Sequence, residues 1–265
     1  MYTSDYIHNY TQHIEDLNET VDGKKVDLVE DIKVSNGVMN DTIKINGNQV
    51  SPGNPLADIR NGANDTIAKY KSIVEYFKNI YEKELKTQDE ALQINQHNST
   101  ALLEKGFALD MLDRHDEAIT AYDKAIEINP QNSTVWHYKG LTLDILGKYN
   151  EAITSFDKAI EINPQDSDAW KQKGTILANL KRYDETIAAY DKAIEINPRD
   201  YIVWDSKGQA LVRLGKSDEA VKAYDKAIQI YPQNSVSWFY KGQALDKLGK
   251  SDEAQKSYDK AFGRN

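Results

Sequence analysis

The side chains in this sequence that could ligate a metal or move protons are five histidines, His8, His13, His97, His115 and His137, set among 42 acidic residues. A zinc hydrolase needs two histidines one helical turn apart on one face, and no pair here has H-E-x-x-H spacing. Cysteine is absent, which removes thiolate ligands, thiol nucleophiles and disulfides. No glycine-rich loop of the phosphate-cradling kind is present, and the carboxylates return at fixed intervals rather than as one isolated pair, so no general acid and base stand out. The expectation is a protein with no catalysis, no cofactor and no metal.

What holds these charges in register is a repeat of 34 residues. Gly106, Gly140, Gly174, Gly208 and Gly242 keep that spacing, as do Ala125, Ala159, Ala193, Ala227 and Ala261, and Pro130, Pro164, Pro198 and Pro232. A fixed period of this length signals a stack of small units that bury their apolar faces on their neighbours. With Ser133 as position 1, Trp136, Gly140, Leu143, Ala152, Phe156, Ala159 and Pro164 stand at positions 4, 8, 11, 20, 24, 27 and 32. Units opening at Ser167, Tyr201 and Ser235 repeat the pattern, with Thr186 at position 20 of the first of them; the unit at Ser99 has Leu102 in place of Trp.

This pattern resembles the tetratricopeptide repeat family. The resemblance covers 99–265 and implies an all-α fold, a right-handed α-solenoid of antiparallel helix pairs at about positions 1–14 and 18–30. In the second unit Gly147-Lys148 is the turn between helices, with Gly in the left-handed conformation that ends a helix. Gly140 is expected to face Ala152 at the helix crossing. Two charge columns, Asp-Lys at positions 25–26 and Lys at position 7, recur in every copy and so read as solvation or local pairing. His115 falls where later copies have Tyr149 and Tyr183, which reads as packing rather than ligation.

Residues 1–64 stand outside the repeat as an N-terminal cap or arm, or a small separate domain. They hold over half of the net charge of -9. Helical spacing runs from Tyr2 to Val21, β-branched residues fill Val26 to Val34 and Thr42 to Ile45, Asn46-Gly47 suits a two-residue hairpin turn, and Ser51-Pro52-Gly53-Asn54-Pro55 breaks the chain. Residues 65–98 read as a degenerate repeat or a capping helix pair.

Composition limits the partners. An acidic chain with pI near 5.1 does not match a nucleic-acid backbone, and no apolar run of membrane-spanning length occurs, so neither nucleic acid nor membrane is expected. The absence of cysteine suits a reducing, cytoplasmic setting.

The resemblance also implies a concave groove lined by positions 2, 5, 6, 9, 12 and 13 of each first helix. These vary from copy to copy, which marks Phe107, His137, Tyr138, Leu141, Lys171, Gln172, Thr175, Asp205, Gln209, Arg213, Phe239, Tyr240 and Gln243 as candidate ligand contacts. The family's clamp for acidic chaperone tails is not reproduced, since only Lys171 matches it. The function implied is a non-catalytic interaction scaffold holding an unidentified protein or peptide. The alternative is a structural, self-assembling module whose last repeat, through Leu245, Leu248, Tyr258 and Phe262, meets another copy.

Overall fold

The structure, a computed structural model, describes residues 77–264 and four short strands ahead of them. The chain divides into two units, Met1–Phe77 and Lys78–Asn265. In the first unit β1 (Val34–Ser35) pairs antiparallel with β2 (Val38–Met39), and β3 (Ile43–Ile45) with β4 (Asn48–Val50). Ile43 lies opposite Val50 and Ile45 opposite Asn48, a register that leaves two residues between the strands. The helix expected over Tyr2 to Val21 and the break at Ser51 to Pro55 lie outside the described residues.

A helix described over 77–94, here α1, opens the helical part of the chain, and from Lys78 it belongs to the second unit. Five antiparallel pairs follow: α2 (Ser99–Met111) with α3 (His115–Ile128), α4 (Ser133–Ile145) with α5 (Tyr149–Ile162), α6 (Ser167–Asn179) with α7 (Tyr183–Ile196), α8 (Tyr201–Arg213) with α9 (Ser217–Ile230), and α10 (Ser235–Lys247) with α11 (Ser251–Ala261). Each first helix starts at an Asn or Asp whose side chain accepts a backbone N–H of the first turn: Asn98, Asn132, Asp166, Asp200 and Asn234. The second helices have no side-chain cap. Acidic residues in their first turns, such as Asp184 and Glu185, complement the helix dipole instead.

The turn inside each pair passes through the left-handed region, at Gly147 (φ 71°), Gly215 (77°) and Gly249 (73°), but also at Asp113 (57°) and Lys181 (60°). A side chain with a Cβ pays a steric penalty there that glycine avoids. Lys181→Gly is therefore expected to stabilise the protein by about 1 kcal/mol, read as a Tm rise of roughly 2–4 °C in a thermal melt.

Position 11 supplies the core line. Leu109, Leu143, Leu177, Leu211 and Leu245 are all buried, against the small residues Ala118, Ala152, Thr186, Ala220 and Ala254 of the second helices. A Cβ on Gly140 would meet the Phe156 ring at 2.9 Å, and on Gly106, Gly174, Gly208 and Gly242 it would meet the Tyr122, Tyr190, Tyr224 and Tyr258 rings at 2.4–2.6 Å. The glycine at position 8 thus makes room for the aromatic at position 24, a nearest neighbour other than the Ala152 expected at Gly140.

Two further columns are explained by bonds between successive units. Trp136, Trp170, Trp204 and Trp238 each donate Nε1–H to the carbonyl of the proline six residues earlier, at 3.0, 3.4, 3.1 and 3.1 Å. The unit with Leu102 in place of Trp has Gln96, not proline, at that point. Each position-7 lysine reaches the position-25 aspartate of the preceding unit: Lys139 to Asp123, Lys173 to Asp157 and Lys207 to Asp191 at 2.5 Å, and Lys241 to Asp225 at 2.6 Å. Its ammonium also lies 5.2–5.6 Å from the centre of the tryptophan ring of its own helix. With the aspartates about half exposed, each pair contributes no more than about 1 kcal/mol, and the cation–π contact a similar amount. Lys105 makes the same bond to Asp89 of α1, also 16 residues back, so α1 fills the place of a preceding second helix on this ladder.

Candidate functional site

Successive first helices touch one another across the units, α2 to α4, α4 to α6, α6 to α8 and α8 to α10, while among the described residues no contact of that extent joins successive second helices. The first helices therefore line the inner, concave side of the stack. Positions 6, 9 and 13 lie one helical turn apart on this face, with position 5 beside them.

Position 5 is spent on joining units. His137 Nδ1 lies 3.1 Å from Asp166 Oδ2, Lys171 Nζ is 3.5 Å from Asp200 Oδ2 and 2.8 Å from Asp168, and Asp205 accepts from Asn234 Nδ2 at 2.9 Å and Ser237 Oγ at 2.8 Å. In each case the partner 29 residues on is the N-cap of the next first helix. Where position 5 is cationic or imidazole the cap is Asp, and where it is Asp205 the cap is Asn234. Burial pulls the Asp166 carboxyl up, and the hydrogen bond and charge of His137 outweigh it, leaving the group below the usual carboxylate range. Burial pushes Asp205 up to about 6, against the lowering effect of its two hydrogen bonds. Its Oδ1 is buried with no hydrogen-bond partner.

Of the candidate contacts, Lys171, Gln172 and Asp205 are thus buried, at 8%, 3% and 6% exposure, and His137 is half-buried against the Phe156 ring. Three of these four bond to the next repeat and Gln172 is buried, so their variation also has an explanation within the fold. The one residue matching the family's clamp for acidic tails, Lys171, is already ion-paired.

The remaining candidates lie on the first helices and are at least partly open. Phe107, Tyr138, Leu141, Thr175, Phe239 and Tyr240 are half-buried, while Gln209, Arg213 and Gln243 are exposed. Tyr138 stacks on Tyr122 with centroids 6.4 Å apart and meets the Phe107 ring edge-on at 5.5 Å. Three units later Tyr240 stacks on Tyr224 at 6.2 Å and meets Phe239 at 5.7 Å. Between them, Thr175 Oγ1 lies 3.2 Å from Tyr190 Oη. Burial raises the Tyr138 phenol, and the nearby charge of Glu104 adds to it.

His115 belongs to a buried polar knot rather than a catalytic set. Asp110 accepts from Tyr122 Oη at 2.8 Å and Thr142 Oγ1 at 2.5 Å, and lies 3.0 Å from His115 Nδ1, tying the first unit to the second. Among the described residues no three His, Asp or Glu side chains could share a metal ion, and no helix is long and apolar enough to cross a membrane. A sequence signal for the position-5 bonds was available, the charge match between residues 29 apart, but it requires knowing that the next cap returns beside them.

The sequence matches the tetratricopeptide repeat family over residues 99–132, 133–166, 167–200 and 201–234, with a further match over 223–256 that straddles α9 and α10. No curated protein sequence matches the chain. Solved structures similar to it include MamA, 27% identical over 60% of this chain and 93% of that chain, with a TM-score of 0.58. YrrB, described as a TPR protein with an unusual peptide-binding site, is 21% identical over 67% of this chain and 92% of that chain, TM-score 0.61. A MamA from Desulfovibrio magneticus RS-1 is 18% identical over 63% and 94%, TM-score 0.59. With its matches spanning more than half of its length and four of the five helix pairs in phase with them, the chain belongs to the tetratricopeptide repeat family and is a protein-interaction scaffold built as an α-solenoid.

Proposed function

We propose that the concave face of α2, α4, α6, α8 and α10 holds an extended segment of a partner protein. The observation that carries this reading is a division of labour. The residues that repeat serve the fold, as core, turn or ladder, and at His137, Lys171 and Asp205 position 5 serves bonds between units. Positions 6, 9 and 13 are left; they vary between copies, are at least partly exposed except at Gln172, and are rich in aromatic and amide groups, the mixture that gives peptide grooves their anchors and their polar complement. YrrB, of the same fold, is described as having a peptide-binding site.

The test is capture from the native proteome with the parent chain and with a variant combining Ile145→Ser, Gln209→Ala and Arg213→Ala, all exposed positions whose change leaves the core intact. Loss of the captured proteins from the variant is expected. Equal capture by both would remove the groove assignment.

A second reading, association of two copies through the last unit, rests on Phe262, which is 60% exposed. Leu245, assigned to that edge from the sequence, is instead fully in the core. Moreover, where the earlier second helices carry Ile119, Ile153, Ile187 and Val221, α11 has Gln255, and where they close on Ile128, Ile162, Ile196 and Ile230 the chain has Arg264. Phe262 itself is covered on two sides, by Phe239 at 6.1 Å and the Arg264 guanidinium at 5.6 Å. Polar residues where a stacking face needs apolar ones favour the groove reading over this one.

A further inference from the structure

The groove is not uniform along its length. At the α2 and α4 end, positions 9 and 13 are Phe107, Met111, Leu141 and Ile145, and Ile145 is 38% exposed, a large apolar side chain open to solvent on the inner face. At the α8 and α10 end the same rows read Gln209, Arg213, Gln243 and Lys247, all exposed. In these two rows apolar side chains thus give way to amide and cationic ones from one end to the other, while the aromatic pair Phe239 and Tyr240 stands beside the polar end.

Two carboxylates flank the apolar end. Glu104 precedes Phe107 by one turn on α2, is exposed, and is close enough to Tyr138 for its charge to act on the phenol. Asp144 follows Leu141 by one turn on α4 and is half-buried, and burial raises its carboxyl. Neither side chain has a hydrogen bond or ion pair among the described residues. The lysines of these two helices are engaged on the other side, Lys105 with Asp89 and Lys139 with Asp123, and the two nearest turn cations, Arg114 and Lys148, pair with Glu117 and Asp116. An apolar, aromatic shelf edged by two carboxylates that have no hydrogen bond or ion pair among the described residues, one of them half-buried, is complementary to a side chain that is both apolar-stemmed and cationic.

Resting on the groove reading above, we infer that this shelf takes a Lys or Arg adjacent to a bulky apolar residue, so that the partner is a basic–apolar segment entering at the α2 and α4 end. The apolar residue covers Leu141 and Ile145. The cation lies over the Tyr138 and Phe107 rings and between Glu104 and Asp144. The opposite sign at Arg213 and Lys247 sets the direction of charge along the groove, because a segment basic throughout would be repelled there.

The inference is tested on the full chain with two fluorescein-labelled ten-residue peptides, one carrying a central Arg-Leu-Phe in a Gly-Ser background and one with Glu in place of Arg. Anisotropy titrations at low salt are expected to show the Arg peptide binding at least tenfold more tightly than the Glu peptide, and Glu104→Gln combined with Asp144→Asn to remove that preference, about 1.4 kcal/mol or more at 25 °C. Far-ultraviolet circular dichroism verifies that this isosteric pair of changes leaves the helices in place. Equal binding of the two peptides, an undiminished preference in the double variant, or no binding of the Arg peptide at about 1 mM overturns the inference. The groove reading is separated from it by a photo-crosslinking phenylalanine analogue placed at Gln209 on the inner face or at Lys124 on the outer. Crosslinks to captured partners from Gln209 alone, with no charge preference in the peptides, keep the groove and dismiss the basic–apolar partner; crosslinks from Lys124 alone dismiss both.

Discussion

Phe156→Ala is expected to destabilise the protein by about 3–5 kcal/mol, the range for removing a fully buried aromatic ring from a packed core. The ring is 0% exposed, fills the space over Gly140 and packs against His137, so its loss empties the junction of α4 and α5. In a stack each unit is held mainly by its neighbours, and a defect in the second of five should therefore split the urea transition into two steps, with 99–132 melting apart from the later units. Tryptophan fluorescence reports this directly, since Trp136 lies in the affected unit while Trp204 and Trp238 lie beyond it. The same substitution identifies the partner of the glycine. Gly140→Ala in the parent drives a Cβ to 2.9 Å from the ring and should cost about 1–3 kcal/mol. In the Phe156→Ala background it should become favourable by about 1 kcal/mol, because the space is free and alanine is the better helix former. If instead the two changes are additive, the glycine does not serve the ring.

Asp205→Asn is expected to stabilise the protein at pH 7.5 by about 1–3 kcal/mol and to flatten its pH dependence. The carboxyl is raised from an ordinary aspartate to about 6 by burial, with one oxygen lacking any partner. Because the folded-state value lies above the unfolded one, the folded protein holds the proton more tightly. The corresponding stability is complete below about pH 4 and is lost as pH rises through about 6, at no more than about 1.4 kcal/mol per pH unit. An uncharged amide keeps the contacts with Asn234 and Ser237 without that loss. Denaturant midpoints of the two proteins should therefore converge near pH 4 and separate above pH 6. A variant less stable than the parent at pH 7.5 would mean that the ionised group is well solvated or paired, against the burial seen here.

The parts of this fold legible in the sequence were those set by one unit alone. Leucine at position 11, the aromatic at 24 and proline at 32 follow from helix geometry and turn chemistry, and each stands where the 34-residue frame places it. What escaped the sequence were the bonds between units. Lys173 meets Asp157 and Lys171 meets Asp200 only because successive helix pairs rotate by a fixed amount, and no periodicity within a helix encodes that rotation. For the same reason His137, Lys171 and Asp205 looked like specificity residues. They vary as ligand contacts would, yet they vary together with Asp166, Asp200 and Asn234 and so answer to the neighbouring unit. Gln172 differs more simply: its side chain is buried at a position where Tyr138 and Tyr240 remain half open. The candidates left after these subtractions, from Phe107 and Leu141 to Gln209 and Gln243, are those whose variation is not matched by a helix cap in the next unit.

The central claim, that partners occupy the inner face at positions 6, 9 and 13, is tested most directly by hydroxyl-radical footprinting of the full chain with and without a captured partner. Binding is predicted to slow oxidation of Tyr138, Leu141, Ile145 and Tyr240 and to leave the outer residues Ile128, Trp204 and Tyr231 unchanged. Protection of Ile128, Trp204 and Tyr231 with the inner set still reactive would contradict it.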